Sequence, residues 1–192
     1  MRLGILGSGS GSNMQAILDE VADGSLKAEI ALVLSDNPQG YILERARKAG
    51  IPTGVIDCRG FKSKFPEEAQ EETAAALKAA GVDLVCLAGF MRLARTPLLE
   101  AFPDRIINIH PALLPAFPGL QAWKQALDAG VAETGCTVHY VDGGMDTGPV
   151  ILQTKVPVLP GDTPESLHER ILAAEHQTYP EAIRIVAKRL GA

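Results

Sequence analysis

At 192 residues, 46% of them hydrophobic and with 13 prolines and 19 glycines, the chain has the make-up of a globular α/β protein with one sizeable core, which excludes a disordered or fibrous class. A net charge of −5 argues against a general nucleic-acid binder, which needs clustered Lys and Arg, while a small anionic ligand stays open. No apolar stretch approaches a membrane span and Met1-Arg2-Leu3 leads straight into a strand pattern, so a cytoplasmic protein with no membrane partner is expected.

Residues 2–6 read as a first strand, followed by the turn Gly7-Ser8-Gly9-Ser10-Gly11-Ser12-Asn13 and a helical pattern through Met14, Ile17, Leu18 and Val21. Ser12 is expected to cap that helix. A glycine-rich turn opening a helix suits an anion, because the first N–H groups are unpaired and the macrodipole is positive there. The third glycine falls at 11 rather than 12 and no P-loop Lys follows, so a phosphomonoester fits better than a dinucleotide. The plain alternative is a tight turn with no ligand.

Residues 28–34 make a second strand, residues 41–49 a short helix closed by Gly50 and Pro52, and residues 53–56 a third strand. Lys64 falls in an exposed connector. Pro66 starts a long helix whose acidic early turns complement its dipole, so its glutamates read as a solvated face. Residues 83–88 are almost unbroken apolar, as a central strand covered on both faces would be. Gly89-Phe90-Met91-Arg92-Leu93 follows at its carboxyl end, where open α/β sheets bind ligands.

After a short helix at residues 96–102, the β-branched run Ile106, Ile107 and Ile109 marks residues 105–110 as a buried strand. Residues two apart share a face, so Asn108 and His110 point at one small volume. Pro111 ends the strand, and Pro115 and Pro118 impose a stiff exit in which Leu114-Pro115 can be cis. A buried His satisfied by backbone groups is the bland alternative. An amide, an imidazole and the carboxylate of Asp146, in the turn Gly143-Gly144-Met145-Asp146-Thr147-Gly148, are the groups needed to polarise a carbonyl, carry a proton and orient its carrier.

Residues 119–129 read as a helix with Leu120, Trp123 and Leu127 in the core. Residues 136–141 and 149–153 alternate as an antiparallel pair, with His139 a packed strand histidine. Thr163-Pro164-Glu165 opens a C-terminal helix that Pro180 is expected to kink or break, and Glu175 from position alone reads as solvated. Cys58, Cys86 and Cys136 have neither zinc nor redox spacing and are expected to be buried structural thiols; no metal is expected. These elements predict a single α/β domain over residues 1–192, with an open, mostly parallel Rossmann-like sheet, helices on both faces and an antiparallel C-terminal strand pair.

Taken in order, Gly9-Ser10-Gly11-Ser12-Asn13, Leu87-Ala88-Gly89-Phe90-Met91-Arg92, Asn108-Ile109-His110-Pro111-Ala112-Leu113-Leu114-Pro115, Asp146-Thr147-Gly148-Pro149-Val150 and Glu175-His176 resemble the glycinamide ribonucleotide formyltransferase family of purine biosynthesis along nearly the whole chain. The resemblance implies a formyltransferase fold and transfer of formyl from 10-formyltetrahydrofolate to the amine of glycinamide ribonucleotide, without a metal. It implies Asn108, His110 and Asp146 as catalytic, and Gly11, Ser12, Asn13 (phosphate) and Glu175 (ribose) as substrate-binding. Met91, Arg92, Leu93 and Ala94 would meet the pterin through their backbone, with Asn108 beside it and Leu87, Leu99 and Ile106 as pocket walls. Residues 142–146 would close over that pocket. Lys64, where the family often has Arg, would face the folate carboxylates as a point charge. The halves 1–100 and 101–192 would serve the phosphate and the folate chemistry, respectively. Partners would be small molecules, with a homodimer left open.

The same centre also suits formyltransferases acting on methionyl-tRNA or an amino sugar, and a 10-formyltetrahydrofolate hydrolase. The tRNA enzymes carry a further C-terminal domain and the hydrolases an N-terminal regulatory one, for which this length is expected to leave no room. A folate or nucleotide binding module with a vestigial site is the non-enzymatic alternative.

Overall fold

The computed structural model describes residues 1–191. In chain order the elements are β1 (Arg2–Leu6), α1 (Ser12–Ala22), β2 (Glu29–Ser35), α2 (Tyr41–Lys48), β3 (Thr53–Val55), α3 (Glu67–Ala79), β4 (Leu84–Leu87), α4 (Thr96–Ala101), β5 (Ile106–His110), α5 (Ala122–Asp128), β6 (Glu133–Tyr140), β7 (Val150–Pro157) and α6 (Pro164–Leu190). They form a seven-stranded sheet in the order β3-β2-β1-β4-β5-β6-β7. Pairings from β3 to β5 are parallel, and β6 and β7 are antiparallel, as the α/β pattern predicts. Strand order reverses between β1 and β4, which opens a crevice at their carboxyl ends.

Alternation sorts the core into two layers. Leu3 and Ile5 of β1 and Ile107 and Ile109 of β5 pack under α1, α2 and α6, with Tyr179 and Ile183. Leu6 and Ile106 face α3 and α4, with Leu77 and Leu98. Each such fully buried aliphatic side chain is worth about 1.5–3 kcal/mol.

Three local expectations are corrected. Gly11, not Ser12, is the N-cap of α1, at φ 73°, with no side-chain cap; Ser12 is already helical. A Cβ at Gly11 would lie 2.7 Å from the Ile42 backbone, so only glycine fits, and the first N–H groups of α1 stay free of a capping oxygen. Helix α5 begins at Ala122 rather than 119, because residues 119–121 form a turn; Leu120 is 75% exposed there while Trp123 and Leu127 pack on the core. Helix α6 runs unbroken through Pro180. Losing one backbone bond and accommodating the ring costs about 3 kcal/mol. Leu167, Ile171 and Tyr179 before that region and Ile183 and Val186 after it are all fully buried, and together they outweigh that cost.

Helix α6 starts from a capping box in which Ser166 N–H donates to Thr163 Oγ1 and Thr163 N–H to Ser166 Oγ. At its middle the fully buried Tyr179 hydroxyl donates to the Leu87 carbonyl at 2.8 Å and lies 3.2 Å from that of Ile107, bridging β4 and β5 just below the crevice. The three cysteines are free and buried, and desolvation pushes the Cys86 thiol up to about 12 and that of Cys136 up to about 11. These thiols are structural.

Candidate active site

Asn108 and His110 lie on the α3/α4 side of β5, the side of Ile106, because Ile107 and Ile109 are taken by the opposite layer. Beyond the strand the chain passes a cis Leu114-Pro115 peptide and turns back, bringing the Phe117 carbonyl 2.8 Å from His110 Nε2. His110 Nδ1 lies 3.4 Å from Asp146 Oδ2, and that oxygen also accepts from Gly119 N–H at 2.8 Å. Asp146 sits at φ 56°, and Gly148 lets the turn close: a Cβ there would lie 1.8 Å from the Tyr140 carbonyl.

Both nitrogens of His110 thus face acceptors. A neutral ring leaves a lone pair against one of them, whereas an imidazolium satisfies both. Burial nevertheless pushes the ring down, the Asp146 carboxylate and the Phe117 carbonyl push it up, and the outcome lies below the ordinary histidine range. Burial alone would raise the Asp146 carboxyl. The neighbouring His139, the Gly119 N–H and His110 outweigh that and hold it below its usual range. The arrangement is an ionised carboxylate beside a buried imidazole whose every bonding direction awaits a proton.

His139, which alternation alone reads as packing, belongs to this polar cluster. It is 2% exposed, pairs across the sheet with Asn108, and its Nε2 lies 3.2 Å from Asn108 Nδ2 and 3.7 Å from Asp146 Oδ1. Its Nδ1 carries a proton to the Tyr140 carbonyl at 2.8 Å, which turns Nε2 toward the Asn108 amide and Asp146. That contact fixes the Asn108 side chain and leaves its second amide hydrogen for another acceptor. The available signal was the partner strand: a His opposite an Asn on a buried strand shares its face.

At the carboxyl end of β1, Gly9 and Ser10 are exposed, and the turn is pinned from α2 by Ile42 N–H to the Gly9 carbonyl at 3.1 Å and Arg45 Nε to the Ser10 carbonyl at 2.9 Å. Asn13 is buried, and its amide donates to Glu175 Oε2 at 2.7 Å while its Oδ1 has no partner among the described residues. Glu175 is 4% exposed, not solvated. Burial pushes its carboxyl up to about 7, the Asn13 amide opposing. The pair leaves one acceptor, Asn13 Oδ1, open to a further donor.

Between these regions a cleft of about 70 Å³ is lined by Leu87, Arg92, Leu93, Ala94, Asn108 and Asp146, among others. Leu99 and Ile106 do not line it; they belong to the core layer behind. Met91, between the lining residues Phe90 and Arg92, is itself 58% exposed. The Arg92 side chain is turned into the protein, against Asp36. Lys64 is not brought to the cleft: its Nζ lies over the Phe61 ring, 5.2 Å from the centroid. Residues 142–147 cover the cleft, held by Asp142 Oδ1, which accepts from Gly144 N–H and Thr147 Oγ1, and by the Arg95 guanidinium on the Gly143 carbonyl. Among the described residues, no group of three His, Cys, Asp or Glu is placed to hold a metal, and no helix is long and apolar enough to cross a membrane.

Comparison with known proteins points the same way. Residues 1–183 match the formyl transferase family model. The chain is 42% identical to phosphoribosylglycinamide formyltransferase of Bacillus subtilis (strain 168), over 95% of this chain and 93% of that protein. It is 50% identical to the trifunctional purine biosynthetic protein adenosine-3 of Drosophila pseudoobscura pseudoobscura, covering 97% of this chain but spanning only 14% of that relative. The crystal structure of glycinamide ribonucleotide transformylase 1 from Symbiobacterium toebii superposes with a TM-score of 0.94 at 55% identity, over 98% of this chain and 88% of that one. With a matching family model over nearly its whole length, and a mostly parallel sheet that ends in an antiparallel pair, the chain belongs to the formyl transferase family.

Proposed function

We propose that the protein transfers the formyl group of 10-formyltetrahydrofolate to the amine of glycinamide ribonucleotide, as one cytoplasmic catalytic domain in purine biosynthesis. The observation that carries this is His110, with both ring nitrogens on acceptors, beside an Asn108 amide that His139 has oriented.

The substrate amine attacks the formyl carbon, and the carbonyl oxygen gains negative charge. The free Asn108 amide hydrogen meets that oxyanion, joined by His110 only when its Nε2–H swings from the Phe117 carbonyl toward the cleft. A C–N bond forms as the bond from the formyl carbon to the folate nitrogen breaks. The proton leaves the attacking nitrogen and reaches the departing one through His110, directly or over a water. Asp146 favours the imidazolium during that passage and holds the ring in place. Gly11, Ser12 and Asn13 offer the unpaired N–H groups of α1 to the phosphate, and the spare Asn13 oxygen and Glu175 take ribose hydroxyls.

The backbone of residues 91–94 would take the pterin edge. Residues 142–147, several of which line the cleft, would be the wall that closes over the bound folate. Mixing the protein and 10-formyltetrahydrofolate with glycinamide ribonucleotide, with methionyl-tRNA, or with neither, and following tetrahydrofolate release, tests the assignment. Release that needs the ribonucleotide is expected. Equal release without an acceptor would make the protein a hydrolase.

A further inference from the structure

The loops after β1, β2, β3 and β4 are tied together beside the cleft by a buried ion pair. Arg92 Nε lies 2.5 Å from Asp36 Oδ2, with the side chains 7% and 8% exposed. The other Asp36 oxygen accepts from Ser8 Oγ at 2.5 Å, and the same Ser8 oxygen accepts from Met91 N–H at 3.0 Å. Ser8 N–H reaches the Gly89 carbonyl at 3.0 Å, and Asn37 Nδ2 reaches the Ser8 carbonyl at 3.1 Å. Arg92 donates as well to the Lys64 carbonyl and, at 2.9 Å, to that of Phe61.

A buried pair of this kind is poor value as a source of stability, since well-packed apolar side chains serve as well. It does provide register, because every oxygen of Asp36 and both roles of the Ser8 hydroxyl are committed to a different loop. Ser8 opens the phosphate turn. Met91 opens the stretch assigned to the pterin. A displacement of Ser8 on ligand binding at the phosphate turn is therefore carried to the Met91 N–H through one hydroxyl, which lets the two sites share a coupling free energy.

We infer that Ser8, Asp36 and Arg92 are positioning residues that make ligand binding at residues 9–13 and at residues 91–94 mutually reinforcing. This rests on the substrates proposed above. Linkage requires that each ligand raise the affinity for the other by the same factor.

The test is calorimetric titration of the whole protein with tetrahydrofolate, with and without saturating glycinamide ribonucleotide, and the reverse titration. One well-made hydrogen bond supports a coupling of about threefold to tenfold, equal in the two directions. Ser8→Ala leaves the ion pair intact and should bring the ratio to about one, and Ser8→Thr, which keeps the hydroxyl, should restore it. Asp36→Asn should raise both KM values by more than it lowers kcat. A wild-type ratio of one, or a Ser8→Ala protein that keeps the wild-type ratio, overturns the inference even if Asp36→Asn fails to fold. Wild-type protein that binds neither ligand overturns the substrate assignment instead.

Discussion

The turn at residues 7–13 and the polar centre at the end of β5 stand two strands apart and are put together in different ways. The turn is one continuous stretch whose offering is backbone N–H, and its shape is set by a left-handed Gly11 wedged against Ile42. The centre draws Asn108 and His110 from β5, His139 from β6, Asp146 from the loop before β7, and a carbonyl and an N–H from the turn at residues 117–119. A backbone site answers to conformation and a side-chain site to a network. Contributions should therefore be separable in the first and shared in the second.

The largest effects should come from the centre. His110→Ala should lower kcat by about 10²–10⁴-fold and Asn108→Ala by about 10²–10³-fold, with tetrahydrofolate still binding. Because Asp146 works through His110, steady-state kinetics of the double alanine variant should give little more loss than His110→Ala alone. Losses that multiply would dissolve the network.

Glu175→Gln sharpens the other side of the comparison. Its carboxyl, near 7 in the folded protein against 4.5 for the free group, imposes no ionisation cost below about pH 4.5. That cost grows as pH rises between the two values and is complete above about pH 7. The amide should thus stabilise the protein at pH 8 by roughly 3 kcal/mol in denaturant unfolding, and by nothing at pH 4. The KM for glycinamide ribonucleotide should rise by about tenfold or more, because hydroxyl bonds to a carboxylate are the stronger ones. Unchanged stability at pH 8 would mean that Glu175 is not buried as an acid.

A smaller change is expected of His139→Phe, which removes the ring nitrogen that orients Asn108. A fall in kcat of about twofold to tenfold with little change in either KM fits one lost positioning bond. The smallest concerns the ring itself. A carboxylate favours imidazolium, so Asp146→Asn should move the His110 titration in NMR to lower pH, away from the direction in which Asp146 now pushes it. A titration that stays put would separate the two residues.

Much of this was legible from residues alone. The β-branched run at 105–110 located β5, and alternation along it put Asn108 and His110 on one face. Local patterns failed where a distant partner decides. His139 looks like any strand histidine until β6 is laid against β5, and Glu175 looks solvated until α1 brings Asn13 against it. Pro180 breaks helices by local rules, but burial along α6 overrules them. Lys64 was placed by resemblance alone, and its Nζ lies over the Phe61 ring, away from the cleft-lining residues. Ser12 lost the capping role because the steric demand at position 11, set by Ile42, is invisible in a glycine-rich string.

The Tyr179 hydroxyl, bound between the carbonyls of Leu87 and Ile107, has a consequence for how the molecule comes apart. Those carbonyls belong to the residues just before Ala88 and Asn108, and Glu175 lies one helical turn before Tyr179. Helix α6 cannot lift away without stripping from the floor of the cleft the buried hydroxyl that donates to the Leu87 carbonyl. The helix that carries Glu175 and the strands that carry Asn108 and His110 are therefore expected to open together, as one cooperative unit.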